Sequence, residues 1–127
     1  MEKKEQIISF FFDTSAIISL AQGDEKLISY SNISPKITLF NLAEIYWIAI
    51  EKISEEKANE LYKDYENSVL EITEEIIKDG MKFRKENRNK GFSYADSIGY
   101  ICAKKNNMKF LTTDSQFKGF ENVEFVK

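Results

Sequence analysis

The chain contains no histidine, one cysteine, one proline and five glycines in 127 residues, and each shortage closes off a class of protein. Without imidazole, Ser-His-Asp and Cys-His nucleophiles, histidine acid-base pairs and most zinc sites are excluded unless a partner supplies the ring. Any catalysis must then run on carboxylates, hydroxyls, lysines or a hard metal ion. Cys102 has no second thiol to pair with, so no internal disulfide forms. So little proline and glycine argues against a fibrous repeat or a disordered chain. A signal-peptide pattern and an apolar run of bilayer length are also absent, from which we expect a cytoplasmic protein with no membrane attachment. The formal net charge of −3 lacks the surplus of lysine and arginine that coating nucleic acid requires, although a local basic patch remains allowed.

What is abundant is aromatic and β-prone sequence, with ten Phe and six Tyr. The length fits one domain spanning residues 1–127, long enough to bury a core. Ile7 to Phe12 is a nearly uninterrupted β-prone run that suits a strand buried on both faces, and it stops at Asp13. Thr14 or Ser15 then caps a helix that Gly23 ends, and a short amphipathic piece covers Asp24 to Tyr30. Pro35 marks a turn before a second predicted strand, Ile37 to Phe40. Asn41 is a good N-cap for a helix over Leu42 to Ile53, and Ser54 opens another with Ala58, Leu61, Tyr62 and Tyr65 on one face. Val69 to Ile72 reads as a third strand. Thr73 with Glu74 and Glu75 starts a helix carrying Ile76, Ile77, Met81 and Phe83. Ser93 to Asp96 opens the next helix, Phe110 to Thr112 is a fourth strand, and Val123 to Val126 a fifth. This alternation predicts an α/β fold with a mostly parallel sheet of four to five strands, whose ligands bind beyond the carboxyl ends of the strands.

Asp13, Glu44, Asp96 and Asp114 each fall where a predicted strand ends or a predicted helix begins. Each has an ordinary structural explanation. Asp13 suits a helix cap, Ser93-x-x-Asp96 matches a capping box, Asp114 suits a turn, and Glu44 on a partly apolar helix face can pair with a lysine. Their joint placement carries the weight, because acids gathered into one cleft repel one another and call for a divalent cation. Mg²⁺ or Mn²⁺ prefers carboxylate and water oxygens and takes only one or two protein carboxylates directly. Asp13 and Asp96 are the first candidates as ligands, Asp114 completes the shell or orients water, and Glu44 serves either purpose. A cation so held acidifies a water for in-line attack on phosphorus and offsets charge on the phosphate oxygens, so histidine is unnecessary.

Four segments now stand in a recognisable order: Phe12 to Ala16, Asn41 to Tyr46, Ser93 to Ile98 and Leu111 to Phe117. Together they resemble the four motifs of the PIN-domain ribonucleases, most nearly the VapC-type toxins of prokaryotic toxin-antitoxin pairs. The resemblance covers nearly the whole chain, and each motif is weak alone. It implies a three-layer α/β/α PIN-like domain and a cluster of acids holding Mg²⁺ or Mn²⁺. The implied activity is RNA cleavage leaving a 5′ phosphate and a 3′ hydroxyl. Residue by residue, Asp13, Glu44, Asp96 and Asp114 match the acidic catalytic positions, and Thr14, Ser15 and Thr112 match the hydroxyl positions beside them. Many relatives carry a further acid shortly after the fourth-motif Asp, where Gln116 and Phe117 stand here, so one-metal and two-metal mechanisms both remain open. The resemblance also implies a small antitoxin partner, often placing a basic residue among the acids, and a homodimer.

For RNA itself, the densest basic stretch is Lys82 to Lys90, with Arg84, Lys85, Arg88 and Lys90 as contact candidates beside the Ser93 to Asp96 motif. Such a run is more often only a solvated helix end, where cations also suit the helix dipole. Tyr46, Trp47 and Tyr94 offer stacking surfaces, although aromatics at helical spacing more often serve a core or dimer contact. Phosphatases of the haloacid-dehalogenase type need an acid two residues after Asp13, where Ser15 stands, and receiver domains need an acid after the third strand. The remaining rival is a catalytically silent PIN-like module that binds RNA or a protein partner.

Overall fold

Successive residues of a strand face opposite sides of a sheet, and in the computed structural model, which describes residues 9–127, this alternation divides the interior in two. Strand β1 (Phe10–Phe12) sends Phe11 to one core and Phe12 to the other, and β2 (Lys109–Thr112) does the same with Phe110 and Leu111. All four side chains are essentially fully buried, which is why these strands read as continuous apolar runs. Strand β3 (Val123–Phe125) completes a parallel sheet in the order β1-β2-β3, with Phe12 opposite Leu111 and Thr112 opposite Phe125. Ile7 and Ile8, expected in the first strand, lie outside the described residues.

Helices cover both faces, giving the α/β/α layering expected of the chain. Helices α1 (Thr14–Ala21), α2 (Leu39–Lys52) and α3 (Glu55–Tyr65) bury Ile17, Leu42, Ile45, Ala49 and Leu61 around Phe12 and Leu111. Helices α4 (Glu74–Glu86) and α5 (Tyr94–Lys105) bury Ile76, Ile98, Tyr100 and Cys102 around Phe11 and Phe110. Much of the phenylalanine gathers on this second side. Phe92 stacks on Phe117 with ring centroids 4.4 Å apart and on Phe83 at 5.6 Å. Burial of each such ring contributes about 1.5–3 kcal/mol, so Phe92 pins the loop that leads into α5 and fixes where that helix begins.

Gly80 permits the closeness of α4 to α5, since a Cβ there would lie 3.0 Å from Ile98 Cγ1 and 3.1 Å from Ile98 Cα. No helix among the described residues is long and apolar enough to cross a membrane.

Two expected strands shrink to single bridges, so among the described residues the sheet has three strands rather than four to five. Lys36 bridges Phe11, and Ile37 bridges Val69, both in parallel fashion. The reason lies in Thr38, which was expected in the second strand. Its hydroxyl accepts from Asn41 N at 3.2 Å, while the Asn41 carboxamide oxygen accepts from Thr38 N at 3.0 Å, a capping box that turns the chain helical at Leu39. Thr38 is therefore the N-cap and Asn41 the third helical residue, not the cap expected of it. Beyond Val69 the chain enters α4 through Thr73, leaving Leu70 to Ile72 as extended connection.

Candidate active site

The carboxyl ends of β1 and β2 lie side by side, and the acids expected there follow directly from them. Asp13 succeeds Phe12, and its own N–H donates to Leu111 O at 2.9 Å, which carries the strand pairing one residue beyond β1. Asp114 stands two residues past Thr112 and opens a 3₁₀ turn over Ser115–Phe117. Asp96 belongs to the first turn of α5, and Glu44 lies half-buried in the second turn of α2.

Asp13 is buried and enclosed by donors. Its Oδ1 accepts from Thr14 N at 2.9 Å; its Oδ2 accepts from Ser15 Oγ at 2.9 Å and from Thr112 Oγ1 at 2.7 Å. Each hydroxyl is itself an acceptor from the β2 end, Ser15 Oγ from Thr113 N at 3.1 Å and Thr112 Oγ1 from Asp114 N at 3.0 Å. Two of the three expected hydroxyls thus hold the carboxylate directly. The third, Thr14, faces away from it: its Oγ1 accepts from Asn41 Nδ2 at 3.1 Å, linking α1 to the capping box of α2. Asn41 is the buried polar residue whose place in the site went unexpected. The spacing Thr38-x-x-Asn41 signals its capping box, but nothing local signals its bond to Thr14. Gly99 makes room for this link, because a Cβ there would meet Phe11 Cε1 at 3.0 Å and Asn41 Oδ1 at 3.4 Å.

Electrostatics joins the four acids into one group. Burial, then the charge of Asp96, and to a smaller degree that of Glu44, push the Asp13 carboxyl up to about 8, while the hydroxyls of Thr112 and Ser15 pull it down. Desolvation and like charge win over the hydrogen bonds. Asp96 is raised as well, first by burial and then by Glu44 and Asp114, against the lowering effect of Ser93 N. Among the described residues, the charges that act most on the two acids are those of other carboxylates.

Each of the three aspartates also serves its own backbone. Asp13 caps α1 through Thr14 N, Asp96 accepts from Ser93 N at 2.9 Å in the expected capping box, and Asp114 accepts from Gln116 N at 2.9 Å. These bonds leave acceptor capacity on every carboxylate, since an ionised carboxylate has about four lone-pair sites.

No group of three or more acidic or cysteine side chains among the described residues lies close enough together to hold an ion directly. The donor set is nonetheless one that suits a hard divalent cation: all oxygen, mutually repelling and partly desolvated, with water filling the positions that protein does not. The residues fit Mg²⁺ or Mn²⁺ held by one or two carboxylates, and do not fit a dry cage of four. Ser97, next to Asp96, is buried and its Oγ has no hydrogen-bond partner among the described residues.

The basic candidates divide. Arg84 donates from Nε to Phe92 O at 2.9 Å and lays its guanidinium 4.6 Å from the centre of the Tyr94 ring. Lys85 and Arg88 are exposed beside it, whereas the Lys90 ammonium sits over Phe120, 5.6 Å from the ring centre.

Comparison with known proteins adds three solved structures of similar architecture. A toxin-antitoxin complex from Klebsiella pneumoniae superposes with a TM-score of 0.72 at 19% identity, over 94% of this chain and 98% of that one. VapBC2 of Rickettsia felis, bound to a DNA fragment from its promoter, gives 0.71 at 14% identity over 94% and 100%. Mycobacterium tuberculosis VapC20, described as a toxin that cleaves the sarcin-ricin loop, gives 0.69 at 18% identity over 91% and 98%. At these identities the likeness is one of fold. None of the curated proteins matches the sequence. A family model described as PIN domain matches residues 10–123.

Proposed function

Since the chain belongs to the PIN domain family, we propose that it is a metal-dependent endoribonuclease acting as the toxin of a VapBC-type toxin-antitoxin pair. One observation carries the reading: a buried aspartate, pushed up to about 8 by burial and by the charges of Asp96 and Glu44, with Asp114 acting in turn on Asp96. A fold that needed Asp13 only as a helix cap would gain nothing from gathering other carboxylates around it. A site for a divalent cation needs that gathering.

Asp13 and Asp96 are the proposed ligands, with Asp114 completing the shell and Glu44 reaching it directly or through water. Mg²⁺ or Mn²⁺, when bound, supplies Lewis acidity toward a phosphate oxygen and acidifies a water molecule. The chain does the positioning. Ser15 and Thr112 fix the orientation of the Asp13 carboxylate by donating to one oxygen, and the Asn41 bond to Thr14 fixes the helix turn that carries Ser15. Glu44 and Asp114, being half-buried rather than sealed, have solvent access through which a proton leaves the attacking water.

The solved relatives favour a toxin partnered by an antitoxin, because the structures from Klebsiella and Rickettsia are a toxin-antitoxin complex and a VapBC assembly and VapC20 is a toxin that cleaves the sarcin-ricin loop. By the same likeness we propose a small antitoxin, and from the motif resemblance a homodimer and a cytoplasmic setting. The second reading is the silent module, favoured by the absence of three directly converging acids among the described residues. Incubation of the folded protein with single-stranded and structured RNA, with Mg²⁺ or Mn²⁺ and with chelator, separates the two. Cleavage that requires metal and is lost in Asp96→Asn supports the enzyme. No cleavage by metal-supplemented, folded protein supports the silent module.

A further inference from the structure

Helix α4 and the loop before α5 border a cleft of about 320 Å³ lined by Met81, Arg84, Lys85, Arg88, Gly91 and Phe92. Three cations border it and none of its lining residues is acidic. The ion pairs among the described residues involve Lys57, Lys78, Lys104 and Lys105, so Arg84, Lys85 and Arg88 enter none. Three neighbouring cations with no carboxylate in ion-pair contact repel one another, a cost that a bound anion removes.

Arg84 is the organised member. Its Nε is committed to Phe92 O and its plane is held against Tyr94, while its four other N–H groups have no protein acceptor among the described residues. That is a pre-oriented fork of the kind that suits a phosphate. Tyr94 is 57% exposed, so the ring offers stacking surface to solvent as well as to Arg84. It stands two residues before Asp96 in the first turn of α5, the helix that follows the cleft in the chain. A second basic hollow lined by Lys82, Lys85, Glu86 and Arg88 continues from the first and shares two of its cations.

We infer that this cleft seats the backbone phosphates of single-stranded RNA flanking the bond to be cut, with Arg84 as the phosphate fork, Lys85 and Arg88 as flanking charges, and Tyr94 as a platform for an unpaired base. The continuation into the second hollow fits a chain of phosphates better than one small anion. The exposed aromatic face fits a strand whose bases are unpaired. This deepens the ribonuclease reading and rests on it for the identity of the strand. Lys90, turned toward Phe120, is not part of the cleft.

The test is binding of a short, mixed-sequence, fluorescein-labelled single-stranded RNA by anisotropy in chelator, so that no cleavage intervenes. Lys85→Ala/Arg88→Ala should weaken binding about tenfold at low salt and flatten the plot of log affinity against log salt by about 1.4. Tyr94→Leu should weaken binding about tenfold while leaving that slope unchanged. A matched loss of charge on α2 and α3, Lys52→Ala/Lys63→Ala, should change neither. Circular dichroism checks that each variant is folded, and Arg84→Lys, which keeps charge but not the fork, should bind less tightly than wild type at an unchanged slope. Unchanged affinity and slope in Lys85→Ala/Arg88→Ala overturns the inference, as does a wild type that binds polyglutamate but no RNA. A protein that binds RNA through this cleft yet never cleaves overturns the nuclease reading alone. Cleavage with KM unaltered in every cleft variant overturns the cleft alone.

Discussion

Thr112 at the end of β2 donates a 2.7 Å hydrogen bond to Oδ2 of Asp13 at the end of β1, joining residues 99 positions apart through a buried hydroxyl. The bond works against burial: it stabilises the ionised carboxylate that desolvation and Asp96 disfavour. Thr112→Val keeps the shape and removes the donor. It also strands Asp114 N, which Thr112 Oγ1 accepts. The expected loss is about 1–3 kcal/mol in stability, measured by urea denaturation, together with weaker Mn²⁺ binding in a calorimetric titration. Unchanged Mn²⁺ affinity would remove Thr112 from the supporting role given to it.

The raised carboxyl of Asp13 has a definite sign in the pH dependence of stability. In the folded, metal-free protein Asp13 keeps its proton up to about 8, while in the unfolded chain it loses it near 3.8. Between those values the native state binds the extra proton, so the free energy of unfolding falls as pH rises and levels off above about 8. Asp13→Asn binds no proton in either state. The wild type should therefore lose stability relative to Asp13→Asn between pH about 4 and about 8, with the full advantage present only at the acid end. Adding Mg²⁺ near pH 8 should restore the wild type and leave the variant unmoved, as followed by thermal melting in chelator and in metal. Asp96, raised as well, contributes in the same direction.

Asp96 has two roles that substitution can separate. Asparagine retains an oxygen to accept from Ser93 N and so keeps the capping box, whereas alanine removes it. Asp96→Asn should stay within about 1 kcal/mol of wild-type stability and lose RNA cleavage by roughly a hundredfold or more. Asp96→Ala should lose both activity and about 1 kcal/mol. Equal activity in wild type and Asp96→Asn would reduce Asp96 to a cap.

Gly80→Ala tests the contact between α4 and α5. Alanine favours a helix by about 1 kcal/mol over glycine, but its methyl would stand 3.1 Å from Ile98 Cα, a backbone atom that cannot move without parting the helices. Overpacking of this kind costs about 1–3 kcal/mol. We expect net destabilisation of about 1 kcal/mol, read as a lower urea midpoint with unchanged slope.

Several elements were legible locally. The runs before Asp13 and Asp114 announced β1 and β2, and Ser54, Thr73 and Ser93 marked the starts of α3, α4 and α5, because strand burial and helix capping each leave a short-range pattern. Ile37 to Phe40 misled because β-prone composition there competes with a capping box, and the box prevailed at Thr38. Within the site, the acids and hydroxyls were visible as residue types at element ends. The part played by Asn41 was not, since its partner Thr14 lies 27 residues away.

The sequence by itself determined the chemistry available to this protein: no imidazole, three acids at element ends with Glu44 inside a helix, and an alternation of strand and helix that a parallel sheet accommodates. Tertiary structure decided which of those acids is sealed from water, which hydroxyls reach it, and that Arg84 meets Tyr94 rather than an acid. The physical reason is range. Capping and periodicity act over a few residues, whereas desolvation and repulsion between carboxylates depend on how distant segments pack.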